Sequence, residues 1–221
     1  MKIGALSDMH GDFPYVENCD VLCICGDTVP LKLQWDDDKC IPWIINEFFD
    51  WVYGLPCLYV VWIAGNHDAT LQSWGKEAIR TAIRESNLAN KLFYLEDDLI
   101  ELDGVKFYGC PWCINLDPSR WAFVTGGEKY LKIPDCDVLL THQPPFGDVG
   151  FDPWQRRNFG STYLRSVIKD RNIKVCCSGH THQGMRGPET IGKTKCYNVS
   201  VKDDYYNLRY PVTYIDYEIV Q

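Results

Sequence analysis

Five histidines stand in the 221 residues, and none falls on a stretch that reads as a helix. His10 follows the apolar run KIGALS (2–7), His67 follows CLYVVWIAG (57–65), and His142 follows DVLLT (137–141). His180 and His182 follow IKVCC, which ends at residue 177. The carboxylates Asp8, Asp27 and Asp68 and the amide Asn66 hold the same kind of position, just past an apolar run. Loops beyond the carboxyl ends of strands are where ligand sites collect in α/β sheets. Imidazole mixed with carboxylate and amide oxygen suits Mn²⁺, Fe or Zn²⁺ and differs from the all-oxygen cage of Ca²⁺. Asp8 with His10, and His180 with His182, are spaced i and i+2. On an extended segment, that spacing puts both side chains on one face, so each pair could grip a cation. Asp8, His10, Asp27, Asn66, His142, His180 and His182 exceed the four donors of a closed structural zinc. They are enough for two ions that share Asp27 as a bridging carboxylate.

Such donors need a frame that delivers strand ends to one place. DVLCICG (20–26) and CLYVVWIAG are continuous apolar runs, the pattern of strands buried on both faces. Between them, IPWIINEFFDWVYG (41–54) repeats apolar residues at helical spacing, with Pro42 in its first turn and Gly54 at its end. This strand–helix–strand unit predicts parallel pairing with a right-handed crossover. GKEAIRTAIRESNLA (75–89) and GSTYLRSVIKDRN (160–172) read as further helices. KLFYL, LIEL and VKFYGC read as antiparallel strands with a turn at Asp103–Gly104, while TKCYNVSV and YPVTYIDYEIV (210–220) complete the β content. The fold class is α/β with antiparallel additions (α+β), two packed mixed sheets flanked by helices, in one domain over residues 1–221.

Composition narrows the function. Formal net charge is −8, which disfavours duplex nucleic acid and a polybasic membrane patch, both of which need surplus Lys and Arg. No apolar run approaches the roughly 20 residues of a membrane helix. MKIGALSDMHGD reaches two aspartates too early for a secretory signal, so a cytoplasmic location is expected. The eleven cysteines are odd in number and mostly within apolar runs, as small buried hydrophobes are in a reducing compartment. Cys110 and Cys113 in CPWC have C-x-x-C redox spacing, whose role the sequence leaves open.

SDMHG (7–11), CGDT (25–28), AGNHD (64–68), LLTHQPP (139–145) and SGHTHQG (178–184), in that order, resemble the calcineurin-like metallophosphoesterase superfamily. YGCPW (108–112), WAF (121–123) and YNVSV (197–201) are further similar to the small metallophosphoesterase-domain proteins related to fetal-brain protein 239. The resemblance implies a four-layer αββα sandwich, two mixed sheets face to face with helices outside. It implies two divalent metal ions, Mn²⁺ first, with Fe, Zn²⁺ or Ni²⁺ as alternatives. Asp8, His10, Asp27 and His182 would hold one ion, and Asp27, Asn66, His142 and His180 the other. His67 would be the non-ligand histidine that acts on the substrate, with Asp68 orienting it. Met9 stands where the family has a small or polar residue, and its side chain should point away from the ions.

The implied activity is hydrolysis of a phosphodiester, such as a cyclic nucleotide, or of a small phosphomonoester, by attack of a hydroxide bridging the ions. His67 would protonate the leaving oxygen as general acid. Trp112, Trp121, Phe123 and Phe146 could stack on a base, and Arg156 or Arg157 could reach a phosphate. The partner expected is a small phosphoester or nucleotide. Two other readings compete: a non-catalytic metal-binding scaffold on the same fold, and a thiol oxidoreductase built on CPWC.

Overall fold

The computed structural model describes residues 1–218. The chain opens with β1 (Lys2–Leu6) and β2 (Cys19–Cys25). A helical stretch follows, made of α1 (Asp37–Trp43), a π turn (Ile44–Phe48) and α2 (Phe49–Gly54), and then β3 (Cys57–Ile63). The helices α3 (Ala69–Trp74) and α4 (Lys76–Glu85) lead to β4 (Leu92–Tyr94) and the hairpin β5 (Asp98–Leu102) and β6 (Val105–Cys110). A long loop reaches β7 (Cys136–Thr141), followed by the small hairpin β8 (Phe151–Asp152) and β9 (Arg157–Asn158). The chain ends with α5 (Thr162–Asp170), β10 (Ile173–Ser178), β11 (Glu189–Ile191), β12 (Thr194–Asn198) and β13 (Thr213–Asp216).

One sheet runs β13-β1-β2-β3-β4, and the other β11-β12-β10-β7-β6-β5. In the first, β1 to β4 are parallel and β13 is antiparallel. In the second, β12, β10, β7 and β6 are parallel, with β11 and β5 antiparallel at the edges. Side chains alternate across each strand, so the continuous apolar runs feed two cores at once. Val21, Cys23 and Cys25 of β2 join Val61, Phe107, Val138 and Val175 between the sheets. Leu22 and Ile24 of the same strand point outward, to Phe48, Trp62 and Ile79 under the helices. A third cluster lies between the second sheet and α5. Helices therefore cover both outer faces, and the layer order is αββα.

Three expectations are corrected. Residues 92–94 do not pair with β5; β4 lies parallel to β3 in the first sheet. The cause is the crossover through α3 and α4, which returns the chain in its original direction. The helix expected at 41–54 begins at Asp37, so Pro42 sits inside it rather than in its first turn, and the backbone widens into the π turn just beyond. The strand expected over 210–220 is observed at Thr213–Asp216, and residues 219 and 220 lie outside the described residues.

Phe107 is fully buried between the sheets. Truncating a buried Phe leaves a cavity in close-packed surroundings, so Phe107→Ala should lower unfolding free energy by about 3–5 kcal/mol. Urea unfolding followed by tryptophan fluorescence measures this; a loss under about 1 kcal/mol would contradict a tightly packed intersheet core.

Candidate metal centre and active site

The parallel strands of both sheets end at the same side of the sandwich, and their following loops are hydrogen-bonded across the seam. Ser7 N donates to Val199 O and Val201 N to Ser7 O, at 2.9 and 3.0 Å. Within each sheet, the Ser7 hydroxyl donates to Cys25 O (2.8 Å) and Gly179 N to His142 O (3.0 Å), while His142 Nδ1 crosses the seam to Cys25 O. Close approach here depends on glycine. A Cβ at Gly65 would overlap the Asp27 carboxylate, and one at Gly179 would overlap the Ser7 hydroxyl and Asp8.

Asp8, His10, Asp27 and His180 all have left-handed backbone, with φ of 59°, 46°, 54° and 67°. Non-glycine residues rarely adopt this conformation, and when they do it gathers at functional sites. Strand alternation therefore does not set the facing of the two i, i+2 pairs. β1 stops at Leu6 and β10 at Ser178, so the pairs sit on tight turns and not on extended strand. Those turns part His180 from His182. His180 Nδ1 lies 2.8 Å from Asn66 Oδ1, which also lies 3.0 Å from His142 Nε2. His182 Nε2 instead lies 3.5 Å from Asp8 Oδ1. Met9 is fully buried in the helix-side core, turned from the donors.

One set of donor atoms converging within 4.8 Å comes from Asp8, His10 and His182, and another from Asp8, Asp27 and His142. Asp27 Oδ2 lies between the two histidine groups, 3.7 Å from His10 Nε2 and 3.3 Å from His142 Nε2. Asp8 and Asp27 are buried, and among the described residues neither has a Lys or Arg partner. Both ring nitrogens of His10 are buried without a hydrogen-bond partner. Two buried carboxylates balanced only in part by histidines and backbone amides, and an orphaned imidazole, are costly, and a bound divalent cation would satisfy both. The donor set therefore fits metal ions.

Backbone carbonyls set the ring tautomers. His142 Nδ1 donates to Cys25 O and His182 Nδ1 to Asp203 O, each at 2.9 Å, leaving Nε2 toward the centre. Burial acts against a charge on His142, but Asp27 and Asp8 outweigh it and raise the group to about 9. His10 and His180 fall to about 3 and 4 because burial dominates there. Asp27 stays well below the usual range despite burial, held by His142 and His67.

His67 and Asp68 behave differently from expectation. Asp68 does not orient the His67 ring; its carboxylate accepts three backbone N–H groups, from Thr28 (2.9 Å), Val29 (3.0 Å) and Gly65 (2.8 Å). It ties the loop after β2 to the loop after β3. Burial, then the charge of Asp27, raises its carboxyl to about 7. The His67 ring is held instead by Gln34, whose Oε1 accepts from Nδ1 at 2.8 Å, and by the edge of Trp121, 4.6 Å away between centroids. The His67 amide donates to Asp27 Oδ1 (2.8 Å). No signal in the sequence pointed to Gln34, 33 positions from its partner. Tyr206, 5.0 Å from His10 and 5.3 Å from His182, was equally silent.

A cleft of about 410 Å³ opens over these groups, lined by His67, His180 and His182 and walled by Trp121, Phe159 and Tyr206. Of the other aromatics, Phe123 is buried in the core and Trp112 lies under the Lys129 ammonium, 3.9 Å from its ring centroid. Phe146 is exposed but does not line the cleft. Arg157 stacks on Phe159 at 5.1 Å. Asn198 of the NVS triplet is buried, with its amide on Thr181 O and Val149 O, and so braces the His180–His182 turn. A second cleft, about 860 Å³, opens beside His10. Among the described residues no helix is long and apolar enough to cross a membrane.

Acid and imidazole donors buried where two parallel-rich sheets end, beneath an open cleft, form a candidate metal centre on an αββα scaffold. Residues 1–184 match the calcineurin-like phosphoesterase model, and the chain belongs to that family. A UPF0046 protein of Caenorhabditis elegans is 29% identical, over 94% of this chain and 57% of the relative. Human metallophosphoesterase domain-containing protein 1 is 28% identical, over 82% and 60%. The chain thus spans under two thirds of the length of these relatives. Among solved structures, phosphopantetheinyl hydrolase of Mycobacterium tuberculosis has a TM-score of 0.55 at 15% identity, covering 93% of this chain and 90% of its own. Another crystal structure has a TM-score of 0.69 at 17% identity, over 89% of each chain. These likenesses show the shared fold.

Asp68→Ala should leave three buried amides unsatisfied and lower stability by roughly 2–5 kcal/mol. His67→Ala should not, and parallel thermal unfolding of the two variants separates the roles. Because the carboxylates raise His142 to about 9, it carries a proton at neutral pH that an incoming ion must displace. Metal uptake at pH 7 should therefore release protons, seen by calorimetry as a buffer-dependent heat; equal heats in buffers of different ionisation enthalpy would contradict this.

Proposed function

We propose that this protein hydrolyses a small phosphodiester with a flat group on one side, such as a cyclic nucleotide, using two divalent ions. Asp8, His10, Asp27 and His182 would hold one ion, and Asp27, Asn66, His142 and His180 the other. When bound, the ions supply Lewis-acid activation of water and neutralise phosphoryl charge. The observation that carries the reading is the cleft itself, where the donor groups and a non-ligand histidine share one floor beneath aromatic walls.

His67, protonated on both nitrogens, donates the Nε2 proton to the oxygen leaving phosphorus and becomes neutral, keeping its Nδ1 proton in the hydrogen bond to Gln34 Oε1. Gln34 fixes the ring's rotation without adding charge, and the Trp121 edge limits tilting. Trp121, Phe159 and Tyr206 offer faces to a base or aryl group. No lysine or arginine lines this cleft among the described residues, while Asp152 and Asp204 do. A diester carries one negative charge where a monoester or polyphosphate carries two or more, so this lining favours the diester.

Hydrolysis of bis-p-nitrophenyl phosphate, p-nitrophenyl phosphate and 2′,3′- and 3′,5′-cyclic nucleotides, with Mn²⁺ and with chelator, tests the reading. The expected result is metal-dependent turnover with diesters ahead of monoesters. No metal-dependent turnover of any of them would favour the scaffold reading. His67→Ala should retain metal and lose about 10²–10⁴ in turnover of esters with poor leaving groups, with a smaller loss for p-nitrophenyl esters. Equal losses on both would show that His67 does not act as the acid.

A further inference from the structure

The motif CPWC is divided by the fold. Cys110 closes β6 and packs in the core between the second sheet and α5. Cys113, fully buried, stands against the active-site donors instead. Its Sγ and one ring nitrogen each of His142 and His180 all lie within 4.8 Å of one another. Both rings also aim a nitrogen at a single oxygen, Asn66 Oδ1. Three side-chain donors therefore cluster together, and both of the rings among them also contact the Asn66 amide oxygen.

The position of Cys113 is built, not incidental. Its amide donates to Phe123 O and its carbonyl accepts from Thr125 N, both at 2.8 Å. The next residue is clamped by Gln143, whose Oε1 accepts from Ile114 N (2.8 Å) and from the Tyr130 hydroxyl (2.9 Å). Gln143 follows His142, so the clamp fixes the thiol relative to that ring. Burial, then Asp27, pushes the Cys113 thiol well above its usual value, and Cys110 is also raised by burial. Neither suits a reactive dithiol, which needs an exposed, low-pKa thiolate. A metal ion, by contrast, deprotonates a thiol that coordinates it outright.

We propose that Cys113 is a sulfur donor to the ion on the His142–His180 side, making that half of the centre an imidazole–thiolate site for a thiophilic divalent ion. On binding, the Cys113 S–H bond breaks, sulfur bonds to the ion, and the proton leaves to solvent. Sulfur and imidazole donors select Zn²⁺, Fe²⁺ or Co²⁺ over Mn²⁺ or Mg²⁺, whereas the Asp8–His10–His182 half offers only nitrogen and oxygen. Cys113 would add sulfur to the oxygen and nitrogen donors already assigned to that ion, and its Sγ stands within 4.8 Å of a ring nitrogen of each histidine. The inference rests on the metal-dependent reading above, and adds what distinguishes the two halves.

The test is anaerobic titration of the chelator-stripped full chain with Co²⁺, followed by absorption. Visible d–d bands report cobalt bound by any donors; a near-ultraviolet thiolate-to-cobalt charge-transfer band reports sulfur. Wild type and Cys110→Ala should show both, and Cys113→Ala should keep the d–d bands while losing the charge-transfer band. Cys113→Ser, nearly isosteric, should weaken Zn²⁺ binding at least about tenfold with little change for Mn²⁺. A wild-type spectrum with d–d bands and no charge-transfer band overturns the proposal and leaves the metal centre standing. No cobalt bands at all would overturn the metal centre too. The wild-type spectrum can overturn the proposal without any variant having to fold, and Cys113→Ala assigns the band to its sulfur.

Discussion

Two carboxylates, Asp8 and Asp27, are buried side by side, and among the described residues neither forms a salt bridge with a lysine or arginine. An ion removed from water and left unpaired costs several kcal/mol, so a fold that keeps two must compensate each. Here compensation comes from histidines and from backbone amides. Asp8 accepts the His180 amide at 3.1 and 3.0 Å through its two oxygens, and Asp27 accepts the His67 amide. What amides and imidazoles leave unbalanced is what a divalent cation supplies. The rest of the site follows from holding that charge in place.

The scaffold holds it by joining two sheets at one end. Ser7 links β1 to the segment beyond β12, and His142 reaches from the second sheet to Cys25 at the end of β2 in the first. The turns after these strands are tight enough to demand left-handed backbone at four donor residues, a strain of roughly 1–3 kcal/mol each that only a rigid surrounding maintains. The intersheet core is that surrounding. Rigid positioning matters to the proposed reaction, in which a cation and a proton donor would meet the same phosphoryl group, because small displacements are expensive in rate.

Much of the fold was legible. The apolar runs at 20–26 and 57–65 proved to be strands facing two cores, because period-2 alternation with no polar face leaves no solvent side. The direction of β4 was not legible, since a three-residue strand carries no periodicity to choose a partner and the crossover decides it. At the site, residue types and their placement after strands picked out seven candidate donors, and the structure brings those side chains together at one end of the sandwich. The conformational reason given for the paired spacing was wrong, since sequence spacing is blind to a φ of 59° at Asp8 or 67° at His180. The partner of His67 was wrong as well. Asp68 is adjacent in sequence, but its side chain turns back into the loop amides, and Gln34 arrives from a distant segment.

From sequence alone come the chemical inventory and its order along the chain: carboxylates, an amide and histidines, each just after a buried strand, in the pattern of a metallophosphoesterase. Local chemistry and periodicity suffice for that, because donor type and strand burial are properties of short segments. Tertiary structure alone decided which donors face which, that Asp68 ties loops together while Gln34 holds the ring, and that Cys113 stands beside His142 and His180 while Cys110 is lost in a core. Those are relations between segments 30 to 170 residues apart, set by how two twisted sheets close on each other and by where their turns must go.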